Sequence, residues 1–394
     1  MSKVNEIIEM EGKYVVQTYV RPPIVFTHGQ GMCLYDSEGR QYLDFAAGIA
    51  VNALGHADPE WVAAVSQQAA RLTHVSNLYH TVPQVELARR LVENSFADKV
   101  FFNNSGSEAN ETALKMARKS ARQRTGRDDK TGIVAFQNSF HGRTMGALAV
   151  TYKNHYREPF MPLIQGVTFA PFNDVEAAEA AITEDTCAVI VEPVQGEGGI
   201  NPASADFLAA LREACDRHEA ALIFDEVQCG LGRTGYLWAH QASGVTPDMM
   251  TLAKPLAGGL PIGAALVTEA VAAVMQPGDH GSTFAGGPLV CAAANVVFDR
   301  INRLEFLARV KANGDYLQHR LCGLGSSKIA AVRGAGLLVA LELNEPVAGV
   351  ITAARKRGLL IINSGENVIR ICPPLIVERE QIDAAVEIIA QCLD

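Results

Sequence analysis

Short apolar runs alternate with helical patterns through the middle of the chain. Six such runs lie between Lys99 and Lys254, and they read KVFFNNSG, GIVAFQN, GVTFAPF, CAVIVEPV, ALIFDEV and MMTLAK. Stretches with helical periodicity separate them, among them SEANETALKMARKSA and ADFLAALREACDRHEA. Strands that alternate with helices in this way usually pair in parallel, with helices covering the sheet faces. The pattern therefore predicts an α/β fold built on a large, mostly parallel sheet.

Segments with different patterns flank this region. Before it, MCLYDSEGRQYLDF contains two strand-like runs around DSEG, which is typical of a turn. After about Gly281 the chain becomes helical and then ends in three apolar runs, GLLVALEL, GLLIIN and VIRICPP. We therefore predict a smaller α+β domain after this point.

Composition narrows the classes of function. The chain has 394 residues, of which 48% are hydrophobic, enough for one large or two medium domains. Lys and Arg number 34 against 43 Asp and Glu, and the resulting net charge of −9 argues against nucleic-acid or membrane partners. No window resembles a signal peptide or a membrane span. Small molecules are the partners that this composition favours.

The eight cysteines are scattered along the chain. They form no CxxC pair, and no His lies at metal-finger spacing from them. This distribution argues against a metal site and against a disulfide framework, and it favours a reducing compartment.

Residues that follow the predicted strands should converge, because parallel strands end at a common carboxyl edge. The strand ends lead into residues 103–107, 140–143, 192–197 and 225–228, and into Lys254. Together they offer an anion-binding turn, an aromatic ring, an arginine, several carboxylates and a lysine. A cofactor that carries a phosphate and a carbonyl requires these groups.

The stretch FDEVQCGLGRTGY contains Gly230, Gly232 and Gly235 at the spacing of a dinucleotide-binding turn. In such a turn the first glycine follows the strand directly and a long helix comes next. Here Asp225 and Glu226 come between the strand and the glycines, where they would repel a pyrophosphate. We therefore favour a glycine-rich loop without a ligand, and a nicotinamide oxidoreductase stays as a remote alternative.

Asp225 and Lys254 are the strongest candidates for chemistry. A carboxylate at a strand end can hold a protonated heterocyclic nitrogen, because the opposite charge favours the cation. A lysine with a pKa lowered by burial can attack a carbonyl and form a Schiff base. The alternatives are a turn aspartate and a solvated surface lysine.

Ser105 and Glu108 have the spacing of a capping box, which predicts a helix that begins near Gly106. The positive end of that helix would suit a phosphate, although a capped helix without a ligand has the same pattern.

Six motifs share one order with a known family: NNSGSEANETALKMAR, FHGRT, VEPVQGEGG, FDEVQCGLGRTG, TLAKPLAGGLPIG and GSTFAGGPL. Together they resemble the class III aminotransferases of the pyridoxal-phosphate-dependent fold type I, from about Tyr19 to Arg370. The resemblance implies a large cofactor-binding domain over residues 51–280 and a small α+β domain over 281–394, with which an N-terminal segment, 1–50, packs. The sequence around Lys254 is most similar to that of plant and algal members.

The resemblance also implies the residues that bind pyridoxal 5′-phosphate. Lys254 and Asp225 would be catalytic, the first as the covalent anchor and the second at the ring nitrogen. The resemblance assigns the phosphate to Gly106 and Ser107, the two ring faces to Phe140 and Val227, the ring hydroxyl to Gln228, and a second phosphate contact to Thr283. In the family a loop from the partner subunit supplies that last contact, so we expect a homodimer with shared active sites.

For the substrates, the resemblance implies four residues: Arg143, Glu197, Ser282 and Arg370. Arg143 would hold a carboxylate. Glu197 would pair with Arg370 while the amine donor is bound and release it for a diacid, although a structural ion pair is the alternative. Glu192 would be a supporting acid, and no metal is expected.

The implied reaction moves the δ-amino group of N2-acetyl-L-ornithine to 2-oxoglutarate. The products are N-acetyl-L-glutamate 5-semialdehyde and L-glutamate, as in arginine biosynthesis. Ornithine, succinylornithine and 4-aminobutyrate stay open as donors, and we expect Ile49 and residues 19–23 to decide among them. A noncatalytic binding relative also stays open. We expect the plastid stroma for a plant or algal source, in a mature form without a transit peptide, and the cytoplasm for a bacterial one.

Overall fold

The computed structural model describes residues 3–393. The strands in this range are β1 (Phe26–Gln30), β2 (Cys33–Asp36), β3 (Gln41–Asp44), β4 (Lys99–Asn103), β5 (Gly132–Phe136), β6 (Val167–Ala170), β7 (Thr186–Val191), β8 (Val194–Gln195), β9 (Asn201–Pro202), β10 (Ala221–Asp225), β11 (Met249–Leu252), β12 (Gly263–Val267), β13 (Ile329–Ala335), β14 (Leu338–Leu343), β15 (Leu359–Leu360), β16 (Ile362–Asn363) and β17 (Val368–Ile371). The helices are α1 (Lys3–Tyr14), α2 (Ala47–Ala50), α3 (Pro59–Arg71), α4 (Val82–Glu93), α5 (Gly106–Thr125), α6 (Met145–Ala149), α7 (Asn154–Arg157), α8 (Val175–Ala181), α9 (Ala205–Arg217), α10 (Glu269–Ala272), α11 (Pro288–Ile301), α12 (Leu304–Cys322), α13 (Ala348–Lys356) and α14 (Arg379–Leu393).

The central sheet has seven strands in the order β4-β12-β11-β10-β7-β5-β6. Strands β11, β10, β7, β5 and β6 pair in parallel, whereas β12 runs antiparallel to both of its neighbours. The predicted α/β fold with a large, mostly parallel sheet is confirmed. The prediction did not include β12, because its sequence GAALV is rich in Gly and Ala, which have low strand propensity.

Two smaller sheets flank the central one in sequence. The predicted DSEG turn joins β2 to β3, which pair antiparallel, and β3 in turn pairs in parallel with β15 from the C-terminal part. Strands β13, β14, β17 and β16 form an antiparallel sheet. The domain limits at residues 50 and 280 stay a prediction. Helix α11, which follows residue 280, packs against α3 and α4, which precede that limit.

Helix α5 begins at Gly106, as predicted from the sequence. The Ser105 hydroxyl accepts a hydrogen bond from the Glu108 N–H at 3.2 Å, and the Glu108 carboxylate accepts one from the Asn104 N–H at 2.5 Å. The helix ends at Gly126, whose φ of 69° is the left-handed conformation typical of a helix C-terminus. Helix α5 packs on β11 and β12. It follows the carboxyl end of β4, which runs in the same direction as β11, so its first turn lies at the carboxyl edge of the sheet.

Within the described part of the chain, no helix combines the length and the apolar character needed to cross a membrane.

Candidate active site

A cavity lies at the carboxyl edge of the central sheet, where the strand ends were expected to converge. Its lining includes eight of the predicted site residues: Gly106, Ser107, Phe140, Glu197, Asp225, Val227, Gln228 and Lys254. Glu192 also lines it. Arg143, Ser282, Thr283 and Arg370 are not among the lining residues and are described below.

Asp225 ends β10 and is 3% exposed. One carboxylate oxygen, Oδ2, accepts hydrogen bonds from Asn110 Nδ2 and His141 Nδ1, both at 2.8 Å. The other, Oδ1, accepts one from the Val227 N–H at 3.0 Å. Three donors therefore fix the orientation of the carboxylate, and Oδ1 keeps a free lone pair toward a ligand.

Asn110 and His141 are site residues that the sequence reasoning did not assign. Asn110 accepts from Thr251 Oγ1 at 2.7 Å and donates both amide hydrogens, one to Asp225 and one to the His141 carbonyl. His141 is 2% exposed, and its Nε2 has no partner among the described residues. A buried Asn on an otherwise apolar helix face is a signal that could have identified the first of them.

The Lys254 amine faces the cavity from a short 3-10 helix, Lys254–Ala257. Burial lowers the pKa of this amine, and Arg370 lowers it further, although Glu197 and two other carboxylates oppose the shift. Within residues 3–393 the amine has no hydrogen bond or ion pair. An unpaired amine whose pKa is lowered by burial is suited to attack a carbonyl.

Lys254 also adopts an unusual backbone conformation. Its φ is 36°, in the left-handed region, which costs a non-glycine residue about 1–3 kcal/mol. The neighbouring residues Leu256 and Ala257 are fully buried, so packing around them holds the strained turn in place.

The first turn of α5 lines the cavity. Gly106 leaves no room for a side chain, because a Cβ there would lie 2.7 Å from Val227 Cγ1. The Ser107 hydroxyl accepts a hydrogen bond from the Arg143 N–H at 3.1 Å. Free N–H groups and the positive end of the helix dipole make this turn an anion site.

Glu192 supports the segment that carries Phe140. Its two carboxylate oxygens accept from the Phe140 N–H at 3.1 Å and from the Gly196 N–H at 3.2 Å. Burial raises the pKa of Glu192 to about 7, with a further contribution from Asp225, while His141 acts in the opposite direction.

Glu197 and Arg370 form an ion pair beside the cavity, with Oε1 and Nη1 2.5 Å apart. Arg370 is 3% exposed, and it also donates to Gln228 Oε1 at 3.2 Å. Burial alone would raise the pKa of Glu197, but the charge and hydrogen bond of Arg370 outweigh it, with help from Lys254, and the pKa is lowered.

Arg143 lies at the exposed mouth of the site, outside the lining of the cavity. Its guanidinium carbon is 3.5 Å from the centroid of the Tyr156 ring and 5.5 Å from that of Phe140. Tyr156, which contacts Arg143, is a further site residue that was not predicted from the sequence.

The loop that carries Ser282 and Thr283 is attached near the anion site but leads away from it. Asn104 Nδ2 donates to Ser282 Oγ at 2.9 Å, and Asn77 Nδ2 donates to its carbonyl at 3.1 Å. Thr283 is exposed, and the next residue, Phe284, is 68% exposed. Thr283 therefore does not reach the cavity of its own chain.

Residues 47–50 form a left-handed turn next to the cavity, whose lining includes the following residue, Val51. All four residues have positive φ values, from 48° to 64°. The Asp44 carboxylate holds the start of the turn by accepting from the Ala47 N–H at 2.8 Å, and it contacts His56 Nε2 at 2.8 Å. Ile49 lies on this turn and is 44% exposed.

Gly232 and Gly235 of the FDEVQCGLGRTGY stretch lie away from the cavity. A Cβ on Gly232 would lie 2.6 Å from Ile301, and one on Gly235 would lie 2.7 Å from Lys311 Cβ. These glycines allow the loop to pack against α11 and α12, which accounts for them without a dinucleotide.

Comparison with known proteins decides the family. A profile described as aminotransferase class-III matches residues 14–393. The chain belongs to the class III aminotransferases. A relative from Alnus glutinosa, named acetylornithine aminotransferase, mitochondrial, is 56% identical over 99% of this chain and 88% of its own length.

Two solved structures agree with the assignment to the class III aminotransferases. The N-acetylornithine aminotransferase of Stenotrophomonas maltophilia K279a is 37% identical, with a TM-score of 0.84 over 98% of both chains. The ornithine aminotransferase of Toxoplasma gondii ME49 is 32% identical, with a TM-score of 0.95 over 100% of this chain and 95% of its own. The predicted fold type I is confirmed.

Class III aminotransferases use pyridoxal 5′-phosphate, and the residues of the cavity fit that group. The first turn of α5 matches a phosphate, the unpaired Lys254 amine matches an aldehyde, and the fixed Asp225 carboxylate matches a ring nitrogen. Phe140 and Val227, also in the lining, offer two apolar surfaces for a flat ring.

Proposed function

We propose that this class III aminotransferase moves the δ-amino group of N-acetylornithine to 2-oxoglutarate, as arginine biosynthesis requires. The Glu197–Arg370 ion pair beside the Lys254 amine carries the proposal, because it lets one pocket serve two different substrates. N-acetylornithine has one carboxylate, and 2-oxoglutarate has two. The name of the Alnus relative supports the choice of donor.

The cofactor residues keep the roles that the resemblance implies. When bound, pyridoxal 5′-phosphate supplies a protonated ring that withdraws electrons from the substrate carbon bearing the amine. Lys254 would hold the aldehyde group of the cofactor, and its amine would accept the proton that leaves the substrate carbon. Asp225 stabilises the positive charge on the ring nitrogen.

Other residues of the chain hold the cofactor in place. Gly106 and Ser107 bind the phosphate at the start of α5, where the helix dipole favours an anion. Phe140 and Val227 would enclose the ring and exclude water from it, and Gln228 would bind the ring hydroxyl. Glu192 positions Phe140 through its backbone N–H.

The substrates are sorted by two arginines. Arg143 binds the α-carboxylate of N-acetylornithine at the mouth, so that the δ-amine points toward Lys254. During this step Arg370 stays paired with Glu197, since an unpaired buried guanidinium costs about 3–5 kcal/mol. When 2-oxoglutarate enters, Glu197 releases Arg370 and each arginine binds one carboxylate.

We also propose a homodimer with shared active sites. Thr283 is exposed in its own chain and lies next to the large exposed Phe284, which suits a loop that another subunit covers. In this arrangement Thr283 binds the phosphate in the partner's site, and Ser282 supports the substrate there while it anchors the loop to Asn104.

A substrate panel tests the choice of donor. The holoenzyme is assayed with 2-oxoglutarate and, in turn, N-acetylornithine, ornithine, succinylornithine or 4-aminobutyrate. We expect the highest kcat/KM with N-acetylornithine. Ornithine is the second candidate because of the Toxoplasma structure, and a higher kcat/KM with ornithine would overturn the choice of donor.

The compartment belongs to the proposal as well. For a plant or algal source we propose the plastid stroma, and for a bacterial source the cytoplasm. The Alnus relative is named as mitochondrial, so fractionation of source cells must separate plastids from mitochondria. An antibody signal in mitochondria would overturn the plastid proposal.

A further inference from the structure

The Arg143 guanidinium lies against the face of the Tyr156 ring. The distance from its central carbon to the ring centroid is 3.5 Å, the shortest of the cation–ring contacts in the described part of the chain. Tyr156 lies on α7, outside every motif that led to the family. The same ring meets Phe140 edge to face, with centroids 6.2 Å apart and planes at 84°. One side chain thus contacts both the substrate arginine and the ring-stacking phenylalanine.

The backbone that returns to Tyr156 is firmly anchored. Thr151, which is fully buried, accepts from the His141 N–H at 2.9 Å, and its hydroxyl lies within hydrogen-bond distance of the Ala147 carbonyl at 3.0 Å and the Gly142 carbonyl at 3.2 Å. The Tyr152 N–H donates to the Ser139 carbonyl at 3.1 Å. These bonds tie the segment before Tyr156 to the segment that carries Arg143, so the backbones of the two segments have a fixed relation.

Arg143 is otherwise uncompensated. Between residues 3 and 393, its guanidinium has no ion pair and no hydrogen bond, and only its backbone N–H is bonded, to Ser107. A ring face attracts the cation and restricts its rotamers, yet it leaves the in-plane N–H donors free. Those donors can then bind a carboxylate in bidentate geometry.

We propose that Tyr156 is a positioning residue that holds Arg143 ready for the substrate α-carboxylate. The inference rests on the proposed function, in which Arg143 binds that carboxylate. Pre-organisation lowers the cost of ordering Arg143 at the moment of binding, so it acts on affinity and not on the proton transfer at Lys254. The ring face does this, and the phenolic hydroxyl is not needed.

Two measurements on the holoenzyme test the inference. The first is the steady-state KM and kcat for N-acetylornithine. The second is the calorimetric Kd for N-acetylnorvaline, which has the α-carboxylate and the acyl group but no δ-amine, and therefore cannot react. We expect Tyr156→Leu to raise both KM and Kd by about three- to thirty-fold, the range of a cation–ring contact, with kcat within about two-fold. Tyr156→Phe should keep both values within about two-fold.

Controls separate this effect from damage to the fold. The Lys311 Nζ lies 5.3 Å from the centroid of the Tyr236 ring, in a cation–ring contact outside the cavity lining. Tyr236→Leu should therefore leave KM and Kd unchanged. If Tyr156→Leu does not fold, Tyr156→Met, which fills similar space, takes its place. In the Arg143→Ala background, Tyr156→Leu should have no further effect on Kd.

A failure of the inference and a failure of the proposed function give different results. If Arg143→Ala weakens N-acetylnorvaline but Tyr156→Leu does not, the inference fails and the role of Arg143 stands. A tighter Kd in Tyr156→Leu would mean that the ring restrains Arg143 instead of presenting it. If Arg143→Ala leaves Kd unchanged, the carboxylate is bound elsewhere, and the proposed role of Arg143 and the inference both fail.

Discussion

The Arg370 guanidinium lies 2.5 Å from the Glu197 carboxylate, although 173 residues separate the two in the chain. Arg370 is on β17 of the C-terminal antiparallel sheet, whereas Glu197 follows β8 at the edge of the cofactor cavity. The Lys254 amine lies near enough to both charges that its pKa responds to them. The pair therefore connects the two parts of the chain at the place where the substrates must be told apart.

Glu197→Ala should separate the two half-reactions. Without its partner, Arg370 is permanently available to carboxylates, so the half-reaction with 2-oxoglutarate should survive or improve. N-acetylornithine should lose its advantage over glutamate as a donor. Stopped-flow spectroscopy follows each half-reaction, and equal losses in both would show that Glu197 is structural and not a switch.

The same ion pair should make stability depend on pH in acid. The folded-state pKa of Glu197 is lowered, so its contribution is fully present above the unfolded value of about 4.5. It is lost as the pH falls from there through the lower folded pKa. Between neutral pH and acid, the Tm of Glu197→Gln should therefore fall less steeply than that of the wild type. Parallel Tm curves across this range would contradict the shift.

Asp225→Asn should slow proton removal from the substrate. The amide cannot supply the charge that favours a protonated ring nitrogen. The pKa of that nitrogen should therefore fall by more than about one unit, which corresponds to about 1.4 kcal/mol. The amide oxygen can still accept from Asn110 and His141, but the NH2 group then faces the Val227 N–H, so the Tm and the amount of bound cofactor are measured as controls. Single-turnover rates should drop by a factor of ten or more, on the order of one pKa unit. An unchanged rate would remove Asp225 from the mechanism.

Shared sites can be tested by mixing subunits. A Thr283→Ala subunit keeps Lys254, and a Lys254→Ala subunit keeps Thr283, so a mixed dimer regains one complete site. Co-expression with two affinity tags isolates the mixed dimer, and its activity should exceed that of both parent homodimers. Activity no higher than the parents would place Thr283 in its own subunit's site or outside any site.

Residues at strand ends were predictable from the sequence for a physical reason. Asp225 and Lys254 follow the parallel strands β10 and β11, and parallel strands end at one edge of the sheet, so pattern alone brings them together. The start of α5 was predictable because Ser105 and Glu108 form a local cap.

Other parts of the site depend on tertiary packing and could not be placed from the sequence pattern alone. Asn110 lies inside a helix, and only the packed sheet shows that it faces Asp225. Tyr156 reaches Arg143 because buried bonds of Thr151 fix the intervening segment. The left-handed conformation of Ile49 contradicts its intrinsic preference, so no propensity could have predicted it. In the proposed homodimer, the place of Thr283 depends on a second subunit.

The covalent anchor is the central claim, and borohydride reduction tests it most directly. Sodium borohydride fixes an amine–aldehyde linkage, after which proteolysis and mass spectrometry locate the modified lysine. Lys254→Ala serves as the control, with loss of the link and an activity loss beyond the roughly 10²–10⁴-fold effect of one general base. The account predicts reduced pyridoxal phosphate on the peptide that contains Lys254 and on no other. Reduced cofactor on a different lysine, or none on Lys254 in enzyme that is loaded with the cofactor, would contradict it.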